Sequence, residues 1–119
     1  MITTLHNTAV YLITGYTDMR KAINGLSLIV SEQLGHDPFD GSLFVFCNKG
    51  RDKLKILHWQ HNGFWLYYRR LEKGKFKWPS AEQAQESLTL SYRELSWLLD
   101  GLSLLQSQAH PAVYGLSNN

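Results

Sequence analysis

Lys49, Arg51, Lys53, Lys55, Arg69, Arg70, Lys73, Lys75 and Lys77 supply nine of the twelve Lys and Arg residues in this 119-residue chain. Only Asp52 and Glu72 oppose them between positions 49 and 77. That segment therefore carries about +7, and the rest of the chain, three cations against eight acids, about −5. The net charge of +2 conceals the division. Trp59, Phe64, Trp65, Tyr67, Tyr68, Phe76 and Trp78 are threaded between the cations. Positive charge interleaved with flat aromatic surface suits a polyanion that also carries stackable bases, so a nucleic acid is the expected partner.

Asn62-Gly63 between two β-rich runs signals a hairpin. With those two residues as the loop, Leu57, Trp59, Leu66 and Tyr68 share a core face. Ile56, His58, Gln60, Trp65, Tyr67 and Arg69 share an aromatic and polar surface. A loop one residue longer shifts the pairing but preserves each strand's alternation. On this reading Arg51, Lys53, Lys55, Arg69 and Arg70 meet phosphates while Trp65 and Tyr67 stack on bases. The competing reading is cross-strand packing, with the lysines solvating an edge. A second cluster, Asp18, Arg20 and Lys21, puts two cations in the expected first turn of a helix, against its dipole. Either an anion bound at that helix start or an ion pair from Arg20 to Asp18 accounts for it.

Catalytic constellations are missing from the sequence. His58 and His61 have no neighbouring Cys or Asp to complete a four-ligand metal set. The acidic residues are scattered over turns without the spacing of a metal-dependent nuclease pair. No glycine-rich phosphate loop or nucleophile elbow occurs. The expectation is a protein that is not an enzyme and takes no cofactor and no metal. Cys47, the single cysteine, sits in an apolar run and reads as a buried strand thiol. It forms no internal disulfide, which suits a reducing cytoplasm. The start of the chain lacks signal-peptide features, and no apolar run approaches the roughly 20 residues of a membrane span. A cytoplasmic protein without membrane contact is expected.

The elements that position these residues follow from periodicity. Val10–Thr14 reads as a strand, and Thr17-Asp18 as the cap of a helix whose apolar residues recur from Met19 to Leu34, ended by Gly35. Leu43–Cys47 is a second strand and Asn48–Asp52 a basic loop. The hairpin follows, then a tight turn at Glu72–Lys75 into Phe76–Trp78. Residues 80–87 read as a polar loop or one exposed helical turn. Ser91 with Glu94 makes a capping box for a second helix, which ends near Gly101 or runs on to Leu105. The expected fold is α+β: a single compact domain, 1–105, with helices on one face of a small antiparallel meander. Residues 106–119 are expected to form a loosely held tail.

Several segments occur together in a specific order: Thr17-Asp18-Met19-Arg20-Lys21, Asn24-Gly25-Leu26, Gly41–Asn48, Lys53–Trp59 and Arg69–Pro79. In these the chain resembles the Orf2-like accessory protein, also called TnpB, of the insertion sequence sixty-six family of bacterial transposable elements. The similarity runs from about Val10 to Leu102. It departs from the family at Asn48–Lys53, where relatives carry a denser arginine run, and at Trp59-Gln60, where they often have Trp-Asp. The resemblance implies a small non-catalytic protein that assists DNA transposition beside a separate transposase. Two modes of action are open: direct binding of the element ends through the basic hairpin and loop, or docking on the transposase as an adaptor. In the second, Trp65, Tyr67 and Arg69 serve as interface anchors. A homo-oligomer formed through an uncovered sheet edge is compatible with either.

Overall fold

Leu43–Cys47 is apolar at every position, which a strand covered on both faces requires. The computed structural model, which describes residues 8–81 and 85–101, places this strand at the centre of the domain. Five strands form one sheet: β1 (Val10–Ile13), β2 (Leu43–Cys47), β3 (Lys53–Gln60), β4 (Gly63–Arg70) and β5 (Ser87–Leu90). Their order is β4-β3-β2-β1-β5. The β1–β2 pair is parallel and the other neighbours are antiparallel.

Alternation along β2 divides the core. Phe44 and Phe46 point to one face, with Leu26, Ile29 and Val30 packed over them. These come from α1 (Ile23–Leu28) and the π-helical turn Ile29–Gln33 that continues it. Leu43, Val45 and Cys47 point to the other face, beneath Leu95 and Leu98 of α2 (Tyr92–Leu99) and the side chains of Phe76 and Trp78. Burying each of the two β2 phenylalanines contributes about 2–3 kcal/mol relative to exposure. The fold is α+β as expected, but its helices lie on opposite faces of the sheet. The parallel crossover from β1 to β2 carries α1 to one side, while the chain after β4 passes to the other.

Other expectations are corrected. The first helix begins at Ile23, with Ala22 at its cap and no side-chain cap bond. Asp18 instead accepts from the Arg20 amide at 2.9 Å, closing a local turn. The helix ends in a left-handed turn at Gly35 (φ 68°) after the π segment. The hairpin loop is His61-Asn62, with both residues at positive φ (51° and 67°), rather than Asn62-Gly63. Gln60 then faces Gly63, Trp59 faces Phe64 and Leu57 faces Leu66, an uninterrupted eight-residue ladder. The two face sets survive because the pairing moved by an even step. Their surroundings differ, however: Ile56 and His58 are buried beneath the α2 side, whereas Tyr68 is exposed.

Phe76–Trp78 is not a strand. It is an extended crossing anchored by its two buried rings, with Trp78 Nε1 donating to the Ile13 carbonyl at 3.0 Å. The sheet's further strand is β5, which the polar reading of residues 80–87 did not reveal. The second helix ends at Leu99, with Gly101 (φ 86°) at its exit, and the Ser91–Glu94 capping box forms. The expected tail and any extension to Leu105 lie outside the described residues. Among the described residues no helix is long and apolar enough to cross a membrane.

Candidate nucleic-acid interface

Strand directions gather the charge. The C-terminal ends of β1, β2 and β4 and the N-terminal ends of β3 and β5 lie at the same end of the sheet. The loops there are knitted together by backbone bonds. Thr17 N donates to the Cys47 carbonyl at 2.7 Å, Leu71 N to Asp52 at 2.7 Å, Phe76 N to Arg51 at 2.7 Å and Gly15 N to Pro79 at 3.1 Å. Every Lys and Arg except Arg93 therefore sits on or near this end, including Arg20 and Lys21 from the β1 exit. Asp37, Asp40 and Glu94 lie towards the opposite end, on the approach to β2 and at the start of α2. The domain is thus polarised along its strands, which would orient it on an approaching polyanion.

The loop Asn48–Asp52 is clasped by one side chain. Asn48 Oδ1 accepts from the amides of Asp52 and Lys53, both at 3.0 Å, and its Nδ2 donates to Asp52 Oδ1 at 2.8 Å. Arg51 is held at φ 60°, a conformation that non-glycine residues rarely adopt. Its carbonyl takes the Phe76 bond while its side chain stands in solvent. Lys49 places its ammonium 5.7 Å from the centre of the Tyr16 ring. Tyr16, Asn48, Lys49, Arg51, Trp78 and Pro79 line an open cleft there. Tyr16 is 65% exposed, more than any other large hydrophobic residue of the described chain.

Three of the acids at this end are engaged, while the exposed Glu86, at the entry to β5, forms no ion pair with the described residues. Arg20 pairs with Asp18 at 2.7 Å, Arg70 with Glu72 at 2.9 Å and Lys53 with Asp52 at 3.3 Å. The hydrogen bond from Arg20 holds the Asp18 carboxyl well below its usual range, at about 2. Hydrogen bonding from Asn48, with help from Lys53, lowers Asp52 as well. Lys55 donates to the carbonyls of Met19 and Lys21, each at 2.8 Å, so its ammonium ties the β1 exit to the sheet. Lys49, Arg51, Arg69, Lys73, Lys75 and Lys77 are exposed and form no ion pair with the described residues.

The expected binding residues therefore separate. Lys53, Lys55 and Arg70 share the α1 face of the sheet, Arg69 shares the α2 face with Trp65 and Tyr67, and Arg51 projects from the end loop. Trp65 and Tyr67 are stacked, centroids 6.0 Å apart and planes 9° from parallel. Trp65 is exposed and its Nε1 donates to Gln60 at 3.2 Å. Tyr67 is half-buried, its hydroxyl lacks a partner, and burial raises its pKa. Phe76 and Trp78, though flanked by lysines, belong to the core. Sequence reading missed Tyr16, which lies far from the basic segment; only the parallel β1–β2 pairing brings it beside Lys49.

The buried Cys47 thiol is pushed up to about 12 by desolvation, which makes it a poor nucleophile. Among the described residues, no three His, Cys, Asp or Glu side chains are grouped to hold a metal ion.

A family model described as IS66 Orf2-like protein matches residues 8–109. The chain is 39% identical over 102 residues to an uncharacterised protein, y4hO, of Sinorhizobium fredii (strain NBRC 101917 / NGR234), covering 86% of this chain and 87% of that one. It is 33% identical over 102 residues to a second uncharacterised protein of that strain, y4jC, covering 86% of each. No solved structure matches at a significant level. Because the family model spans nearly the whole described domain, including the clasped loop and the knitted basic end, the chain belongs to the IS66 Orf2-like family of transposition-associated accessory proteins.

Proposed function

We propose that this protein assists transposition by binding DNA of the insertion sequence through the basic end of its sheet. One observation carries the reading: six exposed cations with no ion-pair partner among the described residues gather at the end of the sheet where these strand ends lie together. They are Lys49, Arg51, Arg69, Lys73, Lys75 and Lys77. Arg70 stands among them in an exposed pair with Glu72, and Lys53 in a half-exposed pair with Asp52; surface pairs of this kind stabilise by at most about 1 kcal/mol and exchange readily with phosphate. The clasp at Asn48 presents Lys49 and Arg51 from a preformed turn, so little ordering is needed on binding. Tyr16 adds an exposed ring beside them, suited to a sugar or an unstacked base. Trp65 and Tyr67 lie further along β4 and extend the same surface on the α2 face.

Fluorescence anisotropy with a labelled duplex carrying the element's terminal sequence tests this. Six phosphate contacts predict log affinity falling with log salt at a slope of about −5. Absence of binding at low salt, or a flat salt response, refutes the reading. The exposed, stacked Trp65 favours a second reading, an adaptor docked on the transposase through Trp65, Tyr67 and Arg69. Co-purification with the transposase separates the two: Trp65→Ala abolishes complex formation only if that face is the dock.

A further inference from the structure

The outer edge of β4 is long and regular. Among the described residues no strand lies beyond it, and its pairing with β3 runs from Gly63 to Arg70 without a bulge. It contains no proline, and every residue from Phe64 to Arg70 is at least partly exposed. The opposite edge, β5, has four residues and leads directly into the capped α2. Sheet edges are ordinarily kept short, bulged or covered because a free ladder recruits another strand. An eight-residue edge that pairs with no other described strand calls for an occupant.

The hairpin fixes which groups are free. With a two-residue loop at His61-Asn62, Gln60 and Gly63 form a hydrogen-bonded pair. Gly63, Trp65, Tyr67 and Arg69 then turn their backbone N–H and C=O towards β3. Phe64, Leu66, Tyr68 and Arg70 turn theirs outward, to the open edge. We propose that a second copy of this chain occupies that edge, with the two β4 strands paired antiparallel about a twofold axis through Tyr67.

The residue pattern selects this register. Centred on Tyr67, the outward groups of Leu66 and Tyr68 meet in one hydrogen-bonded pair, and those of Phe64 and Arg70 in another. Each pair occurs twice by symmetry. Arg69 lies directly across from Trp65 of the other copy, in a pair without mutual hydrogen bonds, where side chains approach most closely. Arg70 lies across from Phe64 of the other copy. All four cations thus face aromatic rings, a favourable cation–π arrangement. Shifting the centre to Arg69 would oppose Arg69 to itself, and shifting it to Leu66 or Tyr68 would leave the Arg69 guanidinium off the Trp65 ring. Leu66 against Tyr68 supplies apolar contact on the α1 face. The α2 face carries the Trp65–Tyr67 stack, whose outer ring is 53% exposed in the single chain. Antiparallel pairing also sends the two basic ends in opposite directions, so a dimer presents two separate polyanion sites.

Sedimentation velocity on the full chain without DNA tests the pairing, over a range of roughly 5 to 200 µM suited to micromolar association. The expected result is a concentration-dependent dimer. Tyr68→Pro removes an outward N–H from an exposed position while leaving the β3 ladder intact, and should weaken dimerisation at least about tenfold. Trp65→Lys sets a lysine against Arg69 and should weaken it by a similar factor, about tenfold. Adding Arg69→Glu to Trp65→Lys creates a Lys–Glu pair only between copies in this register, and should restore affinity to within about threefold of the parent. Positions 65 and 69 on one strand are too far apart for that rescue to arise within a chain. Circular dichroism confirms that each variant folds. A monomer throughout the range, a dimer indifferent to Tyr68→Pro, or failure of the double variant to recover overturns the proposal. No DNA is present, so the outcome is independent of the DNA-binding reading.

Discussion

Replacing Arg51 with glycine should move stability and DNA binding in opposite directions. Arg51 sits at φ 60° with its side chain in solvent. A non-glycine residue in that conformation is destabilised by about 1–2 kcal/mol, because Cβ crowds the following carbonyl. Glycine removes the crowding but adds about 0.5–1 kcal/mol of unfolded-state entropy to be lost on folding. The backbone bonds of residue 51, from its amide to Asn48 and from Phe76 to its carbonyl, do not depend on the side chain. The net expectation is a gain of about 0.5 kcal/mol, which raises Tm by about 2–4 °C in a domain near this size. At the same time one of the six unpaired cations disappears, so the salt slope for DNA should become shallower by about 0.9. Urea denaturation and anisotropy titrations on the same preparation read both quantities. A stability loss above about 0.5 kcal/mol, outside the expected sign, would show that the Arg51 side chain supports the fold. An unchanged slope would show that it does not meet phosphate.

The remaining predictions concern the same end of the domain and the hairpin. Asn48→Ala strands the partly buried amides of Asp52 and Lys53, so urea denaturation should show a loss of about 2–3 kcal/mol, with weaker DNA binding as the loop loosens. Changing His61-Asn62 to Asn-Gly puts the residues best suited to positive φ into the loop and should stabilise the fold by about 1 kcal/mol in thermal unfolding. Phe76→Ala removes a ring that is 1% exposed and should destabilise by about 3–5 kcal/mol in the same measurement. The Cys47 thiol, raised to about 12, should resist a thiol-reactive disulfide reagent at pH 8 in the native protein and react fully in denaturant. Because its folded pKa lies above the ordinary thiol value of 9.0, this group's contribution to stability is complete below pH 9 and is lost as pH rises towards 12.

Much of this fold was legible from local pattern. The apolar run Leu43–Cys47, the alternation of the hairpin strands and the Ser91–Glu94 capping box are properties of short segments, and each formed as its chemistry dictates. Errors arose where two local signals competed. Asn62-Gly63 is the stronger turn dipeptide, but moving the loop to His61-Asn62 extends the pairing to eight residues and seats Leu57 against Leu66. Asp18 could have capped a helix, yet its carboxylate closes a turn with Arg20 and the helix starts later. The tight turn at Glu72–Lys75 suggested a further strand at Phe76–Trp78; its two rings instead anchor the segment in the core, because burying them closes the core beneath α2.

The candidate site divides in the same way. Residue order alone determined that the chain holds a basic, aromatic-rich segment, lacks a recognisable catalytic set and carries its cysteine in a strand. It also determined family membership, which rests on the order and spacing of residues. Only the tertiary structure decided that the cations meet at one end of the sheet, that Lys55 is consumed in bracing the β1 exit, and that Tyr16 stands beside Lys49. The reason is physical: charge and aromaticity are composition, readable in one dimension, whereas convergence depends on strand direction. A parallel β1–β2 pair set between antiparallel neighbours is a non-local arrangement, and no residue within any single strand announces it.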